Sequence, residues 1–428
     1  MERAKTFLLA VLVITSIILS LQIPSAQIPL ERGGTNDIYF GPRPTVAEVV
    51  KPSRIFIRQD GQLFQVETRS ELYRLLLTVL TTIEFAGSEA WRQEPTGLPQ
   101  NGVLLKFDYP VSREVLAQLL INYFKDDIIP AYVTSIFIPG RPGAVQFHNS
   151  GTGEAWSLEA ELAWDIVHEA VLALPEQHLL LGEWVPFTKK EAGAQVYDLA
   201  RQVVLPVPQW HLEQPDTGKI VQSFYVEPAI IRQIIETDGT IIHTDGAKAL
   251  RVYPSGALEY TLAKYETGYT GEQLTAFELA LEFVGRHGGW LEGLVLSQVS
   301  LTNEGNLRLE YVTFGLGLPL YSNGGSLVVE VGGAAVVSYW RRIAIGSEEI
   351  SHEAVVLPLS FLLGNPSAQI TQLFSTMLGP ITDLSLGYFL HNDGNTHPVW
   401  RIVREQQTII ASATDGRVFV VQRPGRGN

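Results

Sequence analysis

Apolar and polar positions along the chain change period several times, and each change marks an element. Leu72, Leu75, Leu76 and Val79 recur at helical spacing behind Thr68-Arg69-Ser70-Glu71, which reads as a capping box. Ser112 precedes a second stripe, Val115, Leu116, Leu119 and Leu120, and a third helix is expected from near Ser157 through Ala163, Ile166, Val167 and Ala170. Strand-like runs lie between them at Arg54–Ile57, Val103–Phe107 and Val133–Ile138. Prolines and polar residues gather over 205–218 (LPVPQWHLEQPDTG), where a domain boundary is expected.

Beyond it the pattern alternates. In IIETDGTIIHTDGAKALRVYPSGALEYTLA (234–263), Leu250 and Val252 share one face, and Leu258, Tyr260 and Leu262 share one face of the next strand. Asp238-Gly239 and Asp245-Gly246 separate the runs, and Asp-Gly also punctuates the chain at Asp60, Asp393 and Asp415. Glycine takes positive φ without steric cost, so these pairs read as hairpin turns rather than as a catalytic or calcium-binding cluster around His243. A second capping box, Thr270-Gly271-Glu272-Gln273, opens a helix carrying Leu274, Phe277, Leu281 and Val284, and Gly288-Gly289 ends it. Strands are expected at 294–301, 307–314, 326–331 and 335–343, then a helical region up to Met377, then strands at 383–390, 397–403, 408–413 and 417–422. Helix followed by meander thus occurs twice, as an internal duplication would produce. The expected class is α+β and multidomain, with antiparallel β-meanders packed on helices.

The N-terminus adds a compartment. Arg3 and Lys5 precede FLLAVLVITSIILSLQI (7–23), which spans roughly 26 Å as a helix. The flanking cations favour a cytoplasmic N-terminus with all that follows outside. Signal peptides share this layout, but Pro24-Ser25-Ala26 puts proline where cleavage wants a small residue, and the run is long for a signal sequence. A retained single-pass anchor in the cell membrane is expected. The divisions read as a tail (1–5), transmembrane anchor (6–24), tether (25–37), N-terminal α+β domain (38–210), central meander and helix domain (211–345) and C-terminal domain (346–428). Within the anchor, Ser16 and Ser20 are four apart and lie on one helix face, a candidate contact for a partner helix.

Composition narrows the chemistry. A net charge of −14 argues against a nucleic-acid partner, and the absence of cysteine removes disulfides, zinc–thiolate sites and thiol nucleophiles. His168-Glu169 and His352-Glu353 begin like metalloprotease helices, yet Leu172 and Val356 stand where the second histidine belongs. Gly315-Leu316-Gly317 lacks the third glycine of a dinucleotide loop. The scattered tryptophans, Trp156, Trp164, Trp184, Trp210, Trp290, Trp340 and Trp400, read as core, and Glu159 and Glu161 as solvated helix residues. No catalytic, metal-binding or cofactor-binding residue is assigned.

At this point a resemblance enters. RAKTFLLAVLVITSIILS and GPRPTVAEVVKPSRIFI resemble the start of YycH regulatory proteins. The central FYVEPAIIRQIIETDGTIIHTDGAKALRVYPSGALEY is similar to that family at Arg232, Glu236, Asp238, Gly239, Thr240, Thr244, Asp245, Gly246, Leu250, Arg251, Glu259 and Tyr260. GLPLYS, YWRRIA, LGYFL and the final HPVWRI…IASATDG resemble the module shared with YycI, and the last pattern is similar to PepSY domains. One departure is Gln22-Ile23-Pro24, where the family commonly has tryptophan beyond the membrane segment. The resemblance implies a membrane-anchored regulator, not an enzyme. It would contact an essential sensor histidine kinase of the WalK/YycG type that controls cell-wall metabolism, together with a YycI-like partner. An exported wall-polymer hydrolase and a PepSY-like inhibitor or chaperone module are the alternatives.

Overall fold

The computed structural model describes residues 39–422 apart from 86–91, 94–97, 121–130, 174–178, 188–195, 226–229, 377–378, 393 and 405–406. The expected tail, anchor and tether, with Ser16 and Ser20, lie outside the described residues. No helix among the described residues is long and apolar enough to cross a membrane. The fold is α+β, dominated by antiparallel sheets.

The first sheet has ten strands: β1 (Arg54–Gln59), β2 (Gln62–Val66), β3 (Glu84–Phe85), β4 (Arg92–Gln93), β5 (Gly102–Ser112), β6 (Tyr132–Pro139), β7 (Ala144–Asn149), β8 (Glu154–Glu161), β9 (Leu179–Pro186) and β10 (Tyr197–Leu199). They run in the order β10-β9-β2-β1-β5-β6-β7-β8-β3, with β4 pairing β8. Asp60 and Gly61, both left-handed at φ 50° and 85°, join β1 to β2 in the two-residue turn that suits the strand twist.

Helices α1 (Val46–Val49), α2 (Glu71–Thr81), α3 (Arg113–Leu119) and α4 (Trp164–Ala173) share a core with the sheet face that carries Ile55, Ile57, Val103, Leu105, Ile136 and Ile138. Three expectations shift here. The cap of α2 is Ser70, whose hydroxyl accepts from Tyr73 N at 3.1 Å, while Thr68 donates to Gly317 O instead. Leu75 is exposed, because Leu72, Leu76, Val79 and Leu80 form the buried stripe. Finally, α4 starts at Trp164, and Ser157 belongs to β8.

Within the Pro-rich stretch expected as a boundary, residues 205–212 lie in a strand, β11 (Val203–Leu212). Among the described residues it pairs only with a later strand, and its register shifts around Pro208. A two-stranded ribbon has free edges, and bulges tolerate a missing N–H, so proline fits there. After α5 (Thr217–Phe224) comes the meander, β12 (Arg232–Ile235), β13 (Ile241–Thr244), β14 (Lys248–Val252) and β15 (Leu258–Leu262). Then α6 (Gln273–Arg286) leads into β16 (Val295–Leu301), β17 (Leu307–Val312), β18 (Phe314–Gly315), β19 (Leu318–Ser322), β20 (Leu327–Gly332) and β21 (Ala335–Arg341). Glu272 rather than Thr270 occupies the N-cap position of α6, without a side-chain cap bond, and Gln273 reaches across to bond Ser112 N and Pro110 O. The second sheet runs β12-β13-β14-β15-β21-β20-β17-β16. Phe277, Leu281 and Val284 of α6 share its core with Leu250, Leu258, Leu309 and Val329, and this core is continuous with the helix-bearing face of the first sheet.

The long β22 (Ala344–Val356) completes the ribbon with β11. Short helices α7 (Leu359–Leu362) and α8 (Gln369–Thr376) precede β23 (Ile381–Leu390), β24 (Thr396–Arg404), β25 (Gln407–Ser412) and β26 (Val418–Gln422). The third sheet runs β18-β19-β23-β24-β25-β26, so two strands from the middle of the chain begin it, with β19 parallel to β23. Its inward side chains, Leu384, Leu386, Tyr388, Trp400 and Ile402, share a core with Phe56, Leu104, Phe137 and Trp184 on the other face of the first sheet. Trp184 and Trp400 meet edge-to-face at 6.0 Å. The first sheet is therefore buried on both faces.

Candidate functional site

The densest concentration of charge lies between the first and third sheets. With period two, Arg54 on β1 and Lys106 and Asp108 on β5 point to the same face, and Arg54 is registered opposite Lys106. Arg54 donates to Asp108 and Asp383 at 2.7 Å each and to Leu384 O at 2.6 Å. Lys106 Nζ reaches Asp383 at 3.2 Å, and Arg401 comes within 3.5 Å of it. Burial alone would raise the Asp383 pKa, but Arg54, Lys106 and Arg401 overcome it and hold the carboxylate well below its usual range. Burial, reinforced by Arg54, lowers Lys106 against the pull of Asp383. A carboxylate so firmly ionised is a poor proton donor near neutrality. The arrangement ties β1 and β5 to β23; it does not resemble an acid–base pair.

The turn aspartates are also occupied. Asp238 accepts from Thr240 N at 2.9 Å and from Thr240 Oγ1 at 3.0 Å, and Asp245 from Ala247 N and Lys248 N at 2.9 Å each. Gly239 and Gly246 take φ 88° and 89°, as hairpin turns require. His243 sits on β13, where its carbonyl accepts from Tyr225 Oη at 2.6 Å. Asp60, Gly61 and Gly416 likewise lie in turns, whereas residue 393 falls outside the described residues. Among the described residues, no group of three or more His, Asp or Glu is placed to hold a metal ion.

The remaining candidates separate. His168 on α4 bonds Gly140 O through Nδ1, and His352 is an exposed residue of β22. Glu159 and Glu161 are exposed on strand β8, not on a helix, because the alternation of 154–161 is that of a half-buried strand. Leu316-Gly317 forms the left-handed turn between β18 and β19. Trp184 and Trp400 are fully buried, and Trp210, Trp290 and Trp340 pack against Tyr388, Tyr311 and Tyr253.

What the structure adds is exposed apolar surface. On the ribbon, Val204 and Val355 are paired directly opposite each other yet 60% and 49% exposed, with Ile345 and Ile350 further along β22. On β12, an edge of the second sheet, Ile234 and Ile235 are exposed beside Ile230. Apolar strand edges of this kind can serve as contact surfaces. Sequence reasoning missed β22 because Ile345, Ile350 and Val355 recur every five residues, which matches neither a strand nor a helix period.

The sequence family described as "YycH protein, N-terminal domain" matches residues 2–127. No curated protein sequence matches the chain. The crystal structure of YycH from Bacillus subtilis superposes with a TM-score of 0.64 at 14% identity, covering 86% of this chain and 97% of that one. The Bacillus megaterium YpeB C-terminal domain covers 49% of this chain and 96% of its own at 13% identity, with a TM-score of 0.28. An uncharacterized protein from Eubacterium rectale covers 55% and 92% at 12% identity, with a TM-score of 0.30. The last two superpositions are too poor to bear on the fold, and none of these matches carries the YycI-like character expected of the C-terminal part. The first superposition gives one fold along most of the chain, and residues 2–127 match the YycH N-terminal domain family.

Proposed function

We propose that the protein is a membrane-anchored, extracytoplasmic regulator of a sensor histidine kinase of the WalK/YycG type, acting by contact rather than catalysis. The observation that carries this reading is the YycH N-terminal match over residues 2–127, which includes the apolar run 7–23. The exposed valine pair and isoleucines of the ribbon support it, because a contact protein needs uncovered apolar surface outside the membrane. A YycI-like protein is the natural second partner on this reading.

Within the anchor, lipid gives apolar side chains little reason to associate, so close packing and hydroxyl pairing must supply helix contact. An interhelical hydrogen bond contributes about 0.6 kcal/mol on average and at most ~1.7 kcal/mol, enough to bias a kinase poised between two states. Ser16→Leu combined with Ser20→Leu is expected to leave membrane insertion intact while reducing photo-crosslinking to the kinase and changing its output. Wild-type crosslinking and signalling in the double variant would remove this helix face from the contact. Capture of no kinase by any crosslinker position along the chain would overturn the regulator. Turnover of muropeptides by the full chain, abolished by a single Asp or Glu substitution, would install the hydrolase in its place.

A further inference from the structure

Where the start of α2, the loop between α6 and β16 and the start of β22 converge, the chain leaves an open cavity of about 380 Å³. That volume lies at the lower end of the ~300–1,000 Å³ typical of small-molecule sites, enough for one small ligand and not for a polymer. Its apolar wall includes Val295, Phe314 and Ile345. Gly346 also lines it, held so close to Trp210 that a Cβ there would come within 3.0 Å of the indole.

Two cations share this cavity, Lys51 and Arg69. Arg69 gives one N–H to Phe314 O at 2.9 Å, a neutral partner that fixes the side chain without cancelling its charge. Lys51 has no hydrogen bond and no carboxylate within 4 Å among the described residues. Glu48, the nearest acid in sequence, is engaged by Thr45 N and Thr45 Oγ1. Glu292, the carboxylate lining the cavity, is exposed. Burial lowers the pKa of Lys51, and Glu48 and Glu292 offset this only in part. A half-buried ammonium without a partner is costly, and an incoming anion would supply charge-assisted hydrogen bonds where the protein supplies none. In a chain of net charge −14, two such cations on one cavity reverse the prevailing sign locally.

We propose that this cavity binds a small anion with an apolar body, its carboxylate or phosphate head between Lys51 and Arg69 and its body against Val295, Phe314 and Ile345. The proposal is independent of kinase contact.

The test is calorimetric titration of the full chain in non-ionic detergent, with detergent alone as blank, using hexanoate, hexyl phosphate and hexanol. One or both anions should bind saturably and about ten-fold or more tighter than hexanol, and the tighter of the two identifies the head as carboxylate or phosphate. Lys51→Met should remove about ten-fold of that preference, whereas Glu292→Gln should tighten anion binding by roughly two- to five-fold. The gain in Glu292→Gln cannot arise from misfolding. No saturable binding of either anion, hexanol binding as tightly as both, or unchanged anion affinity in both variants would overturn the site.

Discussion

His148 shows how one buried side chain writes itself into the pH dependence of the molecule. It lies on β7, 3% exposed, and its Nε2 has no hydrogen-bond partner among the described residues. Burial pushes its pKa down to about 4. The unfolded chain binds that proton near pH 6.5, the native protein only near 4, so the unfolded state holds more protons between these values. Stability therefore falls as pH is lowered through this window, by up to about 1.4 kcal/mol per pH unit for one proton. His148→Phe should flatten urea-derived stability between pH 6.5 and 4 by about that slope. His287, lowered to about 3 by burial, adds a slope of the same sign, so the difference between variant and parent is the readout. An identical slope in both would mean that His148 titrates normally. Leu316 is the other residue whose behaviour the sequence conceals. At φ 47° it occupies a region that costs a branched side chain strain, and leucine is among the last residues a turn pattern would predict there. Leu316→Gly should raise stability by about 1 kcal/mol, seen as a higher urea midpoint; a loss would mean that packing of the leucine outweighs its strain.

At the scale of elements, what could be read from the sequence depended on whether local chemistry and tertiary context agreed. They agree at the meander of the second sheet, where Asp-Gly turns, alternation and burial of Leu250 and Leu258 coincide, and along α6, whose stripe of Phe277, Leu281 and Val284 is buried. They diverge at α2. Thr68 and Ser70 are both cap-forming residues two positions apart, and only the fold, which sends Thr68 Oγ1 to Gly317 O, decides between them. Ser70→Ala should therefore cost about 1 kcal/mol by removing the acceptor for Tyr73 N, and thermal denaturation of the two alanine variants should show Ser70 as the more sensitive site. Equal or reversed costs would return the cap to Thr68. Tertiary context prevails in the ribbon: prolines that ordinarily mark a boundary sit in β11, whose partner among the described residues is β22, more than a hundred residues later. The candidate anchor contact at Ser16 and Ser20 rests on helical spacing. The cavity holding Lys51 and Arg69 was invisible to such reading, since no periodicity links residues drawn from separate stretches of the chain.

For the whole molecule, the decisive feature is that the first sheet is core on both faces. A strand buried on both sides reads as an unbroken apolar run, and Val103-Leu104-Leu105 and Ile136-Phe137-Ile138 are such runs, with odd and even positions entering different cores. The exceptions within those strands are the charges that bind the layers together. Arg54 and Lys106 leave the apolar pattern on the face that meets β23, and Asp383 receives them both, with Arg401 beside it. Asp383→Asn keeps the shape of that side chain and removes its charge, leaving three cations close together in a dry interface with Asp108 as their remaining counterion. Breaking a buried pair from one side typically costs about 3–5 kcal/mol, because the orphaned charge loses both water and partner. The variant is expected to lose stability on that scale in urea denaturation, and a cycle with Arg54→Met should recover part of the loss, since the second substitution removes one of the orphaned charges. A loss below about 1 kcal/mol would mean that water reaches the cluster, and that apolar contact such as Trp184 against Trp400 joins the first and third sheets without help from the ions.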